Sequence, residues 1–136
     1  MSADIPPTGE PNWIEEREAL ALHDRLLALD GGPAGVRDAG LLQSALARPR
    51  QLQSYGDDAD VIDMAAAYLL GIVRNRPFVD GNKRTGFLAS VLFLEINGYR
   101  FTATEESAAQ AVLGLAAGRL NETEIAVWIR ENVSRR

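Results

Sequence analysis

Two apolar runs of helical period flank a polar loop that cannot itself be helical, and this arrangement limits the fold more than any other feature. The first run carries Val61, Ala65, Tyr68, Leu69, Ile72 and Val73 at helical spacing. It must stop near Asn75, because Pro77 disfavours helical geometry at Arg76. The second, Gly86 to Ile96, is apolar almost all round. A buried strand would suit that content, but the length, the alanine and the Asn97-Gly98 ending favour a helix. The chain is therefore read as all-α, with a central buried helix following the loop.

The flanking segments fill in about six helices. Residues 1–11, rich in proline and polar groups, are expected to form a loose arm ahead of a single domain over 12–136. Asn12 is the expected cap of a first helix, with Glu15, Glu16 and Glu18 in its opening turn. Its leucine stripe runs to Gly31-Gly32-Pro33, a strong stop. After a turn, Asp38 caps a short helix over 39–47 that Arg48-Pro49 should end, leaving 52–56 as loop or short strand. Residues 100–103 read as a short extended piece. Thr104 opens another helix, and Asn121 with Glu124 three residues on predicts a capping box for the last. Trp13 and Trp128 read as packing residues, since no basic stripe accompanies them.

Composition narrows the function. At 136 residues the chain fits one domain large enough to bury a core without staples. It has no cysteine, which removes disulfides, thiol nucleophiles and thiolate metal sites, and suits a cytoplasmic setting. Residues 1–13 lack the charged and apolar regions of a signal peptide, and Gly86 to Leu94 is too short to span a bilayer. The net charge of −5 makes direct nucleic-acid binding a poor prospect. Basic residues do gather locally, at Arg48/Arg50, Arg74/Arg76 and Lys83/Arg84, which fits a small anionic ligand.

The loop itself, RPFVDGNKR from Arg76 to Arg84, holds the candidate chemistry. Gly81 lets the backbone approach a ligand and opens the next helix, whose free amides and dipole make an anion site. Lys83 and Arg84 add charge beside it. Asp80 is suited to a divalent cation bridging phosphates, and Asn82 can both donate and accept there. Taken as a tetrapeptide, GNKR could equally be a helix start with a capping acid and solvated bases. Its place between two buried helices favours the ligand site.

Residues 76–86, RPFVDGNKRTG, resemble the signature of the Fic/Doc superfamily, HxFx(D/E)GN(G/K)R, at every fixed position except the first. His23-Asp24, Gly31-Gly32, the turn Gly35 to Asp38 and the stretch Leu41 to Pro49 resemble the amino-terminal half of Doc-type members. The resemblance implies a Fic-fold domain that uses ATP and Mg²⁺. It implies Asp80 as metal ligand, and Phe78, Gly81, Asn82, Lys83 and Arg84 as the nucleotide-binding set, with Phe78 anchoring the loop in the core. Asp80, Lys83 and Arg84 with position 76 would form the catalytic group. Lys83, where AMP-transferring members have glycine, and Phe87, where they have a second arginine, match Doc-like toxins instead. Those resemble kinases: they move the terminal phosphate of ATP to a threonine of elongation factor Tu and so inhibit translation. AMP transfer is the alternative. The self-inhibitory pattern of Fic proteins is missing, since Val127 stands where its hydroxyl belongs ahead of Glu131-Asn132. Control by a separate Phd-like antitoxin is implied, with Trp128 and Ile129 as candidates for its groove.

Arg76 stands where the family has its general-base histidine. Arginine has no acceptor and stays protonated, so this chain is expected to be inactive or strongly impaired. Inactivation of an otherwise active toxin and a naturally non-catalytic binding protein are both open readings. His23, the single histidine, reads as a packed or capping residue rather than a substitute base. Arg48 and Arg50 lie where Fic-type proteins carry a flap that pairs with the target; a solvated loop is the other reading.

Overall fold

A computed structural model describes residues 10–55 and 58–136. Most of the expected amino-terminal arm therefore lies outside the described residues. Six helices and two short strands follow in the order α1 (Glu16–Asp30), α2 (Ala39–Tyr55), α3 (Val61–Asn75), α4 (Asn82–Ile96), β1 (Tyr99–Phe101), α5 (Glu105–Ala116), α6 (Glu122–Arg130) and β2 (Val133–Arg135). The fold is all-α apart from the β1–β2 ribbon, antiparallel with Arg100 opposite Ser134.

The helix buried all round is α3, the one before the loop. Asp60 caps it, accepting from the Asp63 amide at 2.9 Å, and nearly every residue from Val61 to Val73 is out of solvent. It packs on α2, α4 and α6. Helix α4 packs against α3 along Thr85, Gly86, Ala89, Ser90, Phe93 and Leu94, while Phe87, Leu88, Val91 and Leu92 are only half-buried. Close approach of α2 and α3 depends on Gly71, where an added Cβ would lie 3.1–3.3 Å from three atoms of Ala45.

Several boundaries differ from expectation. Helix α2 does not end at Arg48-Pro49 but runs through Pro49 to Tyr55, so 52–55 is neither loop nor strand. A proline inside a helix removes one hydrogen bond at a cost of about 3 kcal/mol; here Pro49 is buried, and its packing offsets that loss. Arg48 and Arg50 are consequently helical residues rather than part of a flap, ion-paired with Glu122 and Glu15. Asn12 is not the cap of α1, which starts at Glu16. Instead its amide donates to Asn97 Oδ1 at 2.7 Å, and Asn97 Nδ2 donates back to the Asn12 carbonyl at 2.9 Å, tying the chain start to the end of α4. Ile129 is core, while Trp128 is partly buried and packs on Phe101 with ring centroids 5.6 Å apart. Asp38, Thr104 and Asn121 cap the helices expected of them. None of the helices is long and apolar enough to cross a membrane, among the described residues.

Tyr68 shows how the core holds the amino-terminal segment. It is 0% exposed, its ring tilted against Phe93 at 4.9 Å, and its hydroxyl accepts from the Ile14 amide at 2.9 Å. Burial pushes its pKa up to about 12, against the opposing pull of the Ile14 hydrogen bond and the Arg50 charge. The folded state thus holds the phenolic proton more tightly than the unfolded chain. Stability carried by this group is full below pH 10 and is lost as pH rises toward 12. Two pKa units correspond to about 2–3 kcal/mol. Urea titrations at pH 9 and pH 11.5 should show that loss, and Tyr68→Phe should remove most of it.

Candidate active site

The site begins where α3 is forced to stop. With Pro77 next, Arg76 cannot continue the helix and turns into the left-handed region, φ 51° and ψ 55°, its amide bonded to the Ile72 carbonyl at 3.1 Å. A residue with a Cβ loses about 1–2 kcal/mol there. The turn is braced from outside. The Arg37 guanidinium donates to the Arg76 carbonyl at 2.7 Å and to the Asn75 carbonyl at 2.8 Å. The Arg37 and Asp38 amides both reach the Pro77 carbonyl, at 2.7 and 3.0 Å. Val36 forms a bridge with Phe78, and the Val79 amide donates to the Gly35 carbonyl at 3.1 Å. The extended segment beside the loop is therefore 35–38.

Phe78 then turns inward. It is 1% exposed and stacks on the His23 ring, centroids 3.9 Å apart and planes 10° from parallel. Asn82 brackets its backbone: Oδ1 accepts from the Phe78 amide at 2.9 Å and Nδ2 donates to the Phe78 carbonyl at 3.0 Å. His23 Nε2 lies 2.8 Å from the Asp80 carbonyl, so that nitrogen carries the hydrogen. Gly81, at φ 80°, takes the left-handed conformation that opens α4. The first intrahelical bond runs from Thr85 to the Gly81 carbonyl at 2.9 Å. That leaves the amides of Asn82, Lys83 and Arg84 without intrahelical acceptors, the condition for holding an anion.

These elements enclose a cleft of about 590 Å³ between the end of α1 and the start of α4. Arg76, Asp80, Gly81, Asn82, Lys83 and Arg84 all line it; Phe78 does not, being turned into the core. Asn82 lines the cleft too, but both its side-chain groups are engaged with Phe78. Asp30 also contributes, and ion-pairs with Arg84 across the cleft. The charged lining is thus three cations against two acids, a balance that favours a polyanion.

The donor set bears on a cation as well. Among the described residues no group of three or more His, Cys, Asp or Glu converges, so a cage made wholly of protein is not on offer. A hard ion that takes one carboxylate and draws its other ligands from phosphate and water fits a lone Asp80. Room is kept for it: a Cβ on Gly32 would lie 3.3 Å from Asp80 Oδ2.

The sequence marks Arg76, Phe78, Asp80, Gly81, Asn82, Lys83 and Arg84 but gives Arg37, Asp30 and Gly32 no part in the site, and it reads His23 only as packed or capping. The contacts of Arg37 and His23 with the loop span 38 to 57 residues of sequence. No local pattern encodes them.

The model of the Fic/DOC family matches residues 13–94. Over 117 residues, 86% of this chain and 92% of the relative, it is 31% identical to "Protein kinase doc" of Escherichia phage P1. Over 75 residues, 54% of this chain and 57% of the relative, it is 51% identical to "Toxin Doc" of Mycolicibacterium smegmatis.

Proposed function

Since this chain belongs to the Fic/DOC family, we propose that it is a Doc-like toxin of the phosphotransferase type, silenced by Arg76. The observation that carries this reading is the convergence of Asp80, Lys83, Arg84 and the first-turn amides of α4 on one cleft, with position 76 beside them. The substrate would be ATP and a protein hydroxyl, by the family resemblance a threonine of elongation factor Tu. Such an enzyme inhibits translation and acts in the cytoplasm.

The amides of Lys83 and Arg84, with their side chains, would bind the phosphates and offset the charge that develops on them. Arg84 must exchange Asp30 for a phosphate oxygen to do so. Asp80 would hold a magnesium ion, whose charge supplies further neutralisation on the phosphate oxygens. In the reaction the hydroxyl oxygen bonds to the terminal phosphorus. The bond from that phosphorus to the bridging oxygen breaks, and ADP leaves with the electron pair. The hydroxyl proton needs an acceptor at position 76. A guanidinium has no lone pair to take it.

Phe87 supports terminal-phosphate transfer over AMP transfer. It stands where an AMP-transferring member has its second arginine, and here it packs edge-on against Phe101 at 5.5 Å. The experiment is to supply Arg76→His protein with ATP labelled at the terminal or the alpha phosphate. Label reaching the target only from the alpha position would overturn the kinase reading in favour of AMP transfer.

A second reading has its own support. With Arg76 as a third cation in the cleft, the chain is suited to hold a nucleotide without turning it over. As for control, the half-buried groove of about 630 Å³ between α4 and α5, lined by Leu88, Val91, Phe101, Val112 and Leu113, is our candidate seat for a Phd-like antitoxin.

A further inference from the structure

His23 has no part in the chemistry above, yet this buried residue of α1 lies against the loop. It is 2% exposed, and three residues of the loop bear on its ring. Phe78 stacks on one face. The Asp80 carbonyl accepts from Nε2. Gly81 passes over its edge, where an added Cβ would meet Cδ2 and Nε2 at 3.6 Å. The ring is thus held by stacking on one side and by a directed hydrogen bond at its tip.

We propose that His23 is a positioning residue for Asp80: its Nε2–H clamps the Asp80 carbonyl and thereby fixes the stretch of backbone from which the carboxylate reaches the cleft. This rests on the reading of the cleft as a site for ATP and a divalent cation. Asp80 lies between the buried Phe78 and the left-handed Gly81, on the exposed side of the loop. Asn82 pins the backbone of Phe78 and the α4 ladder begins at Gly81. Neither of those restraints reaches the peptide between Asp80 and Gly81. The bond from His23 does. Holding that carbonyl fixes the Asp80 backbone, and so the point from which its side chain starts and the height of the loop; the side chain's own torsions then carry the carboxylate to the cleft it lines. Stacking on Phe78 cannot do this, since it fixes the ring plane and leaves the rotation of the next peptides free. The clamp requires one tautomer, with hydrogen on Nε2.

The test uses the full chain as it stands, with Arg76 in place, and reads binding rather than turnover. ATP affinity is measured by calorimetry with and without Mg²⁺ for the parent, His23→Leu and His23→Gln. Leucine keeps apolar bulk and removes the donor; glutamine keeps an N–H near the place of Nε2. His23→Leu should lose the gain in ATP affinity that Mg²⁺ confers by roughly tenfold, the lower end of what loss of a ligand's supporting bond costs. Its Mg²⁺-free affinity should stay within about twofold, since the Lys83 and Arg84 contacts remain, and His23→Gln should recover most of the loss. Equal losses with and without Mg²⁺ would mean that the ring only packs the core, and would overturn the proposal. So would a His23→Leu protein that binds like the parent. A parent that binds no ATP under either condition would remove the functional reading, and the proposal with it, which is a different result from the other two. Should neither variant fold, the single histidine gives an unambiguous ¹⁵N signal in the parent. Hydrogen on Nε2, with a shift on adding Mg²⁺ and ATP larger than with ATP alone, is expected; an unprotonated Nε2 would rule the clamp out.

Discussion

Arg76→His should raise the rate of protein phosphorylation by this chain by about 10²–10⁴-fold, the range general-base catalysis supplies. The backbone is ready for the change. Position 76 is left-handed, a region where histidine is several-fold enriched over most residues that carry a Cβ. Its carbonyl is held by Arg37 whichever side chain it bears, and Asp80, Lys83 and Arg84 already line the cleft. Activity should fall as pH drops below about 6.5, where an ordinary imidazole takes up its proton and can no longer act as base. The measurement is transfer of terminal phosphate to purified elongation factor Tu, alongside growth of cells expressing each form. If Arg76→His protein binds ATP but modifies nothing and leaves growth unaffected, the chain is a binding protein rather than a silenced enzyme.

Phe78→Ala should lower the unfolding free energy by about 3–5 kcal/mol, the usual cost of removing a buried aromatic side chain. Phe78 is 1% exposed and lies between the His23 ring and the core, so truncation leaves a cavity under the loop and unstacks the histidine. Neighbouring Val79 offers the control. It is 48% exposed, and Val79→Ala should cost no more than about 0.5 kcal/mol. Urea unfolding followed by the fluorescence of Trp13 and Trp128 would read both. A Phe78→Ala protein as stable as Val79→Ala would mean that the loop is not anchored as described. Without the ring, the Phe78 backbone that Asn82 brackets loses its anchor in the core, so ATP affinity should fall in Phe78→Ala even under conditions where the protein remains folded.

Much of this molecule was legible without coordinates. Helical periodicity over 61–73, the stop imposed by Pro77 and the caps at Asp38, Thr104 and Asn121 are local properties, and local sequence carries them. So does the RPFVDGNKR loop, because its glycine, acid and bases act through neighbouring backbone. Reasoning from neighbours failed where tertiary contacts outweigh propensity. Pro49 has the signature of a helix end, yet α2 continues because its packing against α3 outweighs one lost hydrogen bond. Asn12 looks like a cap, yet its polar groups are claimed by Asn97, 85 residues away.

By itself, then, the amino-acid order determined which residues carry charge, which helices are apolar and that position 76 holds a cation unable to accept a proton. Folding in three dimensions decided what faces what. It set Phe78 into the core and Asp80 into the cleft, brought Arg37 and His23 against the loop from other helices and turns, and paired Arg84 with Asp30. The physical reason is range: helix formation is settled over a few neighbouring residues, whereas a side chain's partners depend on which distant surfaces burial brings together.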